Sequence, residues 1–146
     1  MKKLYLKVNR TLRFIFYRDL NINEQLDISE NLAHDNLLTL YWNMSKADRQ
    51  HSYEVFNRTK KKSKDNDLLL LSLLHDIGKS KIHAGVMFRI MSDLGFIKNN
   101  KSKTYLDHEN IGIELLKEHN VSQEIIDYYN NNLLKQKNII LDKTDY

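Results

Sequence analysis

Residues 68–74 read Leu-Leu-Leu-Leu-Ser-Leu-Leu, six leucines in seven positions. A helix built from this run is apolar on every side, and such a helix must be buried all round. It can only be the central rod of a bundle, with other helices wrapped about it. The rest of the chain offers those helices. The spacing of Leu4, Val8, Leu12, Ile15 and Phe16 predicts a first helix, with others over about 22–32 and 35–43. Ser45 reads as an N-cap, with Asp48 three residues on in the manner of a capping box, opening a helix to about 60. Asp67 reads as the cap of the leucine helix, which is expected to end near a left-handed Gly78. Further helices are expected at about 84–95, 108–119 (capped by Asp107) and 122–131, with a last one starting in IILDKTDY. KNNKSKT (98–104) is expected to be a polar loop.

Composition supports an all-α fold. There is no proline and there are only four glycines in 146 residues, so turn-rich β architectures are disfavoured. The absence of cysteine excludes disulfides and thiolate metal sites, leaving His and carboxylate as ligands for hard or borderline cations. No apolar run approaches the roughly 18 residues of a membrane span, and the basic N-terminus has too short an apolar stretch for a signal peptide. A cytoplasmic location is therefore expected. The net charge of +4 concentrates in residues 1–20 and in RTKKKSK (58–64). These read first as solvated helix faces and a loop. They also leave room for phosphate-bearing partners. Nucleic-acid binding is disfavoured because no recognised nucleic-acid motif is present.

His75-Asp76 terminates the leucine run. Charge at such a place is costly unless it is paired or bound to metal. Where a helix ends the chain turns, and adjacent side chains can reach one ion. The same dipeptide occurs at His34-Asp35, in a polar stretch, and reads there as surface.

LLHDIGK (73–79) resembles the signature of the HD-domain phosphohydrolase superfamily in its HDIG form. The resemblance runs over about 35–146: DRQHSYEVF around His51, HENIG (108–112), and ILDKTD, similar to a final L-x-x-A-D with Thr144 in place of alanine. It implies a single-domain helical bundle with its metal site in the core. A basic N-terminal helix and lead-in (1–34) would pack on an HD domain at 35–146. It implies that His51, His75, Asp76 and Asp145 ligate one divalent ion (Mn, Fe, Co, Ni, Zn or Mg), Asp142 being the alternative to Asp145. Asp76 and Lys79 would be catalytic. Lys79 would hold a substrate phosphate, with a helix-end cation as its other reading, and His108 would join the substrate site or simply start its helix. His83 reads as exposed and His119 as capping or solvated. Tyr128-Tyr129-Asn130-Asn131 stands where two-metal relatives carry paired histidines, which disfavours cyclic-di-GMP hydrolysis. The implied function is hydrolysis of a phosphate ester of a nucleotide or small phosphorylated metabolite. The alternative is a non-catalytic HD domain that binds metal or nucleotide as a regulatory or structural module.

Overall fold

The computed structural model describes residues 12, 15–82 and 85–146. The expected first helix and His83 therefore lie largely or wholly outside the described residues. Among the described residues there are nine α-helices and no strand. They are α1 (Ile22–Asn31), α2 (Asp35–Trp42), α3 (Lys46–Lys60), α4 (Asn66–Leu74), α5 (Val86–Asp93), α6 (Asn100–Leu106), α7 (His108–Glu118), α8 (Gln123–Tyr129) and α9 (Ile139–Thr144). A 3₁₀ turn (Ile77–Lys81) follows α4, and a π-helical segment (Asn130–Lys135) continues α8.

The leucine helix occupies the centre, as its all-round apolar surface requires. Leu68, Leu69, Leu71, Leu73 and Leu74 are buried, and α3 is its main neighbour, with α1, α2 and α8 also against it. The core around it includes Ile28, Leu37, Tyr41, Phe56, Leu115, Tyr129 and Leu141. A separate small cluster of Ala47 and Ile90, with Leu94 against it, joins α5 to α3.

Local chemistry sets several boundaries. Ser45 caps α3, its Oγ accepting from the Asp48 N–H. The capping box is not reciprocated: the Asp48 carboxylate takes the Ser45 hydroxyl and the Arg89 guanidinium instead. The cap of α4 is Asp65, not Asp67, because the Asp65 carboxylate accepts the N–H groups of both Asp67 and Leu68. Most of the expected loop (98–104) belongs to α6, because the Asn99 side chain accepts from the Ser102 N–H and Ser102 and Tyr105 bury on one side.

The leucine helix stops at Leu74 rather than near Gly78, and Gly78 does not adopt the left-handed conformation. Among the described glycines only Gly95 has positive φ (77°). Gly78 is needed for room: a Cβ there would collide with the backbone carbonyl of His108 and crowd the Gly112 nitrogen. Gly112 likewise admits the Tyr129 hydroxyl, where a Cβ would clash. The two glycines let α7 lie directly on the 3₁₀ turn that follows His75-Asp76. Among the described residues no helix is long and apolar enough to cross a membrane.

Candidate metal centre

His51 comes from the middle of α3, and His75 and Asp76 from the end of α4, the two helices that pack most extensively. His75 closes α4 with φ −58° and ψ −28°. Asp76 then leaves the helix with φ −103° and ψ 5°. This change of backbone lets neighbouring side chains converge instead of diverging as they do along a helix. All three residues are buried, and each offers a ligand atom within 4.8 Å of the others.

Asp145 enters from the end of α9. Its Oδ1 lies 2.9 Å from His51 Nε2 and 3.6 Å from His75 Nε2. Asp142 is exposed. The helix carrying Asp145 is fastened to α3 by a buried hydrogen bond between the hydroxyls of Thr144 and Thr59 (2.9 Å). It is fastened again by Arg58, which donates to the Tyr146 carbonyl (3.0 Å) and covers the Tyr146 ring. Thr144 at the alanine position of the motif thus has a structural use. Leu141 is buried, while Ile139 is 67% exposed.

Lys79 is drawn into the centre, its ammonium 2.6 Å from Asp76 Oδ2. His108, at the start of α7, places Nε2 3.0 Å from Asp76 Oδ1, while its Nδ1–H donates to the Tyr105 carbonyl (3.0 Å). His119 donates from Nδ1 to the Leu115 carbonyl within its own helix (3.0 Å). His34 and Asp35 are exposed.

The electrostatics are those of a closely coupled buried cluster. Burial opposes charge on Asp76, but Lys79, His75 and His108 outweigh it and hold the carboxyl well below its usual range. Burial is likewise overcome at Asp145 by His75 and His51, leaving that carboxyl well below its usual range. Burial would lower the pKa of His75, yet the charges of Asp76 and Asp145 raise it. For Lys79 too, the Asp76 charge overcomes desolvation and raises the pKa.

The donor set fits a divalent cation. His75 donates Nδ1–H to the Ser72 carbonyl (2.8 Å), which fixes the tautomer and orients the ring as in many metal-binding histidines. Its Nε2 is buried without a hydrogen-bond partner, and the oxygens of Asp76 and Asp145 stand 3.6 Å away, too far for a hydrogen bond. Two imidazoles and two carboxylates suit first-row divalent ions and Zn. The field that raises the pKa of His75 would equally attract such an ion.

Two participants carried no signal in the sequence. Lys137, in the turn between the π segment and α9, places its ammonium 2.7 Å from Asp145 Oδ2. Tyr129, buried under α7, directs its hydroxyl at the carbonyls of His75 (3.3 Å) and Glu109 (3.2 Å), tying the end of α4 to α7. The tyrosine-rich sequence there marked only a departure from two-metal relatives.

A helical bundle whose central helix ends in a buried His-Asp pair, met by a histidine from the preceding helix and an aspartate from the last, is the arrangement of an HD domain. The chain belongs to the HD-domain family of the metal-dependent phosphohydrolase superfamily: the family model for the HD domain matches residues 49–145, more than half its length. No curated protein and no solved structure matches it.

Proposed function

We propose that this protein is a metal-dependent phosphohydrolase acting on the phosphate ester of a nucleotide or small phosphorylated metabolite. The observation that carries the reading is the buried convergence of His51, His75 and Asp76, with Asp145 against both histidines. Membership of the HD-domain family supports it. In this reading those four residues hold one divalent ion. When bound, such an ion lowers the pKa of water and neutralises charge on phosphoryl oxygens.

The protein's own groups account for the rest. His75 presents Nε2 because Nδ1 is committed to the Ser72 carbonyl. Asp76 is held between Lys79 and His108, which set the orientation of its carboxylate. A cation taking up the charge of Asp76 and Asp145 would free Lys79 and Lys137 from these carboxylates. Both ammonium groups could then hold phosphoryl oxygens and stabilise charge developing on them. His108 stands next to Lys79 on the same carboxylate and can orient the substrate.

The test is release of inorganic phosphate from p-nitrophenyl phosphate and from nucleoside monophosphates with added Mn or Co. Release that depends on metal and on Asp76 supports the reading, and absence of release under every metal refutes it.

One observation favours a second reading, a non-catalytic HD domain. The carboxylate oxygens of Asp76 and Asp145 already have partners in Lys79, His108, His51 and Lys137. A self-neutralised polar core of this kind can serve structure alone. In that case no metal releases phosphate, whether or not added metal raises the melting temperature.

A further inference from the structure

Apart from the metal centre, α1, α4 and α8 line an open-mouthed cavity of about 300 Å³, within the size range of small-molecule sites. We propose that this cavity binds a small organic cation with an aromatic or other compact apolar body, and that its occupancy is felt at the metal centre through Tyr129.

The inner wall is apolar. Leu70, Leu71, Leu74 and Ile125 line it together with the rings of Tyr128 and Tyr129. Leu71, Leu74 and Tyr129 are buried members of the main core, so this wall is part of the rigid body of the fold. Tyr128 is fixed by its hydroxyl, which donates to Asp65 Oδ2 (3.1 Å). An apolar or aromatic body entering here gains contact with these side chains, and a cation additionally gains from the aromatic faces.

The mouth selects by charge. Asp67 and Glu124 line the cavity, both exposed, together with the imidazole of His34, and no lysine or arginine does. That is notable in a chain of net charge +4. The two carboxylates come from the first turns of different helices, α4 and α8, so the folded chain brings them together across one opening. An anionic ligand would meet two like charges. A neutral ligand would use the wall and leave the mouth unanswered. A cation with an apolar body uses both.

The link to the metal centre is short, one peptide bond and one hydrogen bond. Leu74, in the wall, immediately precedes His75. Tyr129, also in the wall, directs its hydroxyl at the His75 carbonyl. A ligand pressing on Tyr129 thus acts on the backbone of a candidate metal ligand. The binding part of the proposal stands without the metal reading. The coupling part rests on it.

Tryptamine is a suitable probe, with indole-3-propionate as its anionic counterpart, titrated calorimetrically into the full chain with EDTA present. Tryptamine should bind saturably, and the anion should bind at least about tenfold more weakly. The pair Asp67→Asn and Glu124→Gln should remove that preference. Ile125→Trp should fill the cavity and abolish binding, and Leu70→Phe serves the same purpose if the larger substitution does not fold. Equal binding of the two probes, or binding that survives filling of the cavity, overturns the site. For the coupling, saturating tryptamine should change the Mn affinity about fivefold or more, by an amount that reappears reciprocally in tryptamine affinity. Tyr129→Phe, which keeps the ring in the wall, should abolish the change. Mn affinity that ignores tryptamine overturns the coupling while leaving the site. Absence of Mn binding altogether, with tryptamine binding intact, would instead remove the metal reading and with it the coupling.

Discussion

The same dipeptide occurs twice, and the structure treats the two copies oppositely. His34-Asp35 opens α2 at the surface, with both residues exposed. His75-Asp76 closes α4 in the core, where His75 is 1% and Asp76 2% exposed. At the first position the ring of His34 makes no capping bond. At the second, one ring nitrogen is committed to a carbonyl and the other is left bare among carboxylates. Histidine and aspartate do not by themselves make a metal centre. What makes the buried pair a candidate metal centre is a helix that cannot face water, ending where two other helices deliver a histidine and an aspartate.

The largest expected effect comes from removing the carboxylate in each copy. Asp76→Ala should abolish metal binding and phosphate release together. It also strands Lys79, whose partly buried ammonium loses its counter-charge, at a cost of up to about 3 kcal/mol, the lower end for a broken buried pair. Asp76→Asn keeps the shape and serves as the milder variant if the alanine form unfolds. Added Mn at about one hundred times its dissociation constant should stabilise the wild type by about 2.7 kcal/mol, read as a rise in melting temperature. Neither Asp76 variant should show that rise, and Asp35→Ala should show it in full. Equal stabilisation of all these proteins would place the ion elsewhere.

The next effect tests how the buried copy is held. Gly78→Ala drives a methyl group into the His108 backbone carbonyl, and backbone cannot move aside as a flexible side chain can. A loss of about 3 kcal/mol is expected, at the upper end of overpacking costs, with metal affinity falling because α7 is pushed off the 3₁₀ turn. Gly85→Ala meets nothing within 4 Å and should cost no more than about 1 kcal/mol, the price of a poorer N-cap at α5. Urea denaturation of the two variants compares them directly. Similar losses would mean that the close approach of α7 is not what seats His75-Asp76.

These two expectations draw on different layers of legibility. The central helix, its burial and its terminal His-Asp pair could be read from sequence, because a leucine run has one physical solution and the pair sits at its end. Resemblance alone points to His51 and Asp145 as partners, and the structure brings them to that pair. Residues acting across the topology carried no such pattern. Lys137 reaches Asp145 through an irregular turn after a π-helical segment, and nothing in a lone lysine announces that. Tyr129 is ordinary as a core aromatic, and its use depends on Gly112 leaving room for its hydroxyl. Asp67 reads as a cap because it directly precedes the leucine run, whereas the side chain that reaches the free N–H groups belongs to Asp65. The α6 sequence is polar enough to pass for loop, and only its Asn99 cap gives it away.

Tyr129→Phe should have a smaller effect. It removes a hydroxyl that two carbonyls use and leaves the ring in place. A loss of about 1–2 kcal/mol is expected, together with weaker Mn binding, since the His75 backbone is less firmly held. His34→Ala, the control at the other copy, should leave Mn binding unchanged. An unaltered Mn affinity in Tyr129→Phe would show that α4 holds His75 unaided.

The smallest effect has the opposite sign and belongs to the exposed copy. His34 occupies the N-cap of α2 with extended backbone (φ −116°, ψ 130°), the conformation a capping residue needs, yet its side chain caps nothing. Serine at that position can accept an N–H from the first turn. His34→Ser should therefore stabilise the protein, and the gain should sit near the bottom of the capping range, about 0.5 kcal/mol. The reason lies in the neighbouring residue: the Leu37 N–H already approaches Asn36 Oδ1 at 2.9 Å and the His34 carbonyl at 3.0 Å, so few donors in that turn remain to be satisfied. Chemical denaturation with unchanged m-value resolves a difference of this size. The same replacement at the other copy, His75→Ser, should instead lower stability and abolish metal binding, because serine cannot offer a nitrogen lone pair to the ion. If His34→Ser also impaired metal binding, the two copies would not be independent, and the exposed histidine would belong to the same functional unit as the buried one.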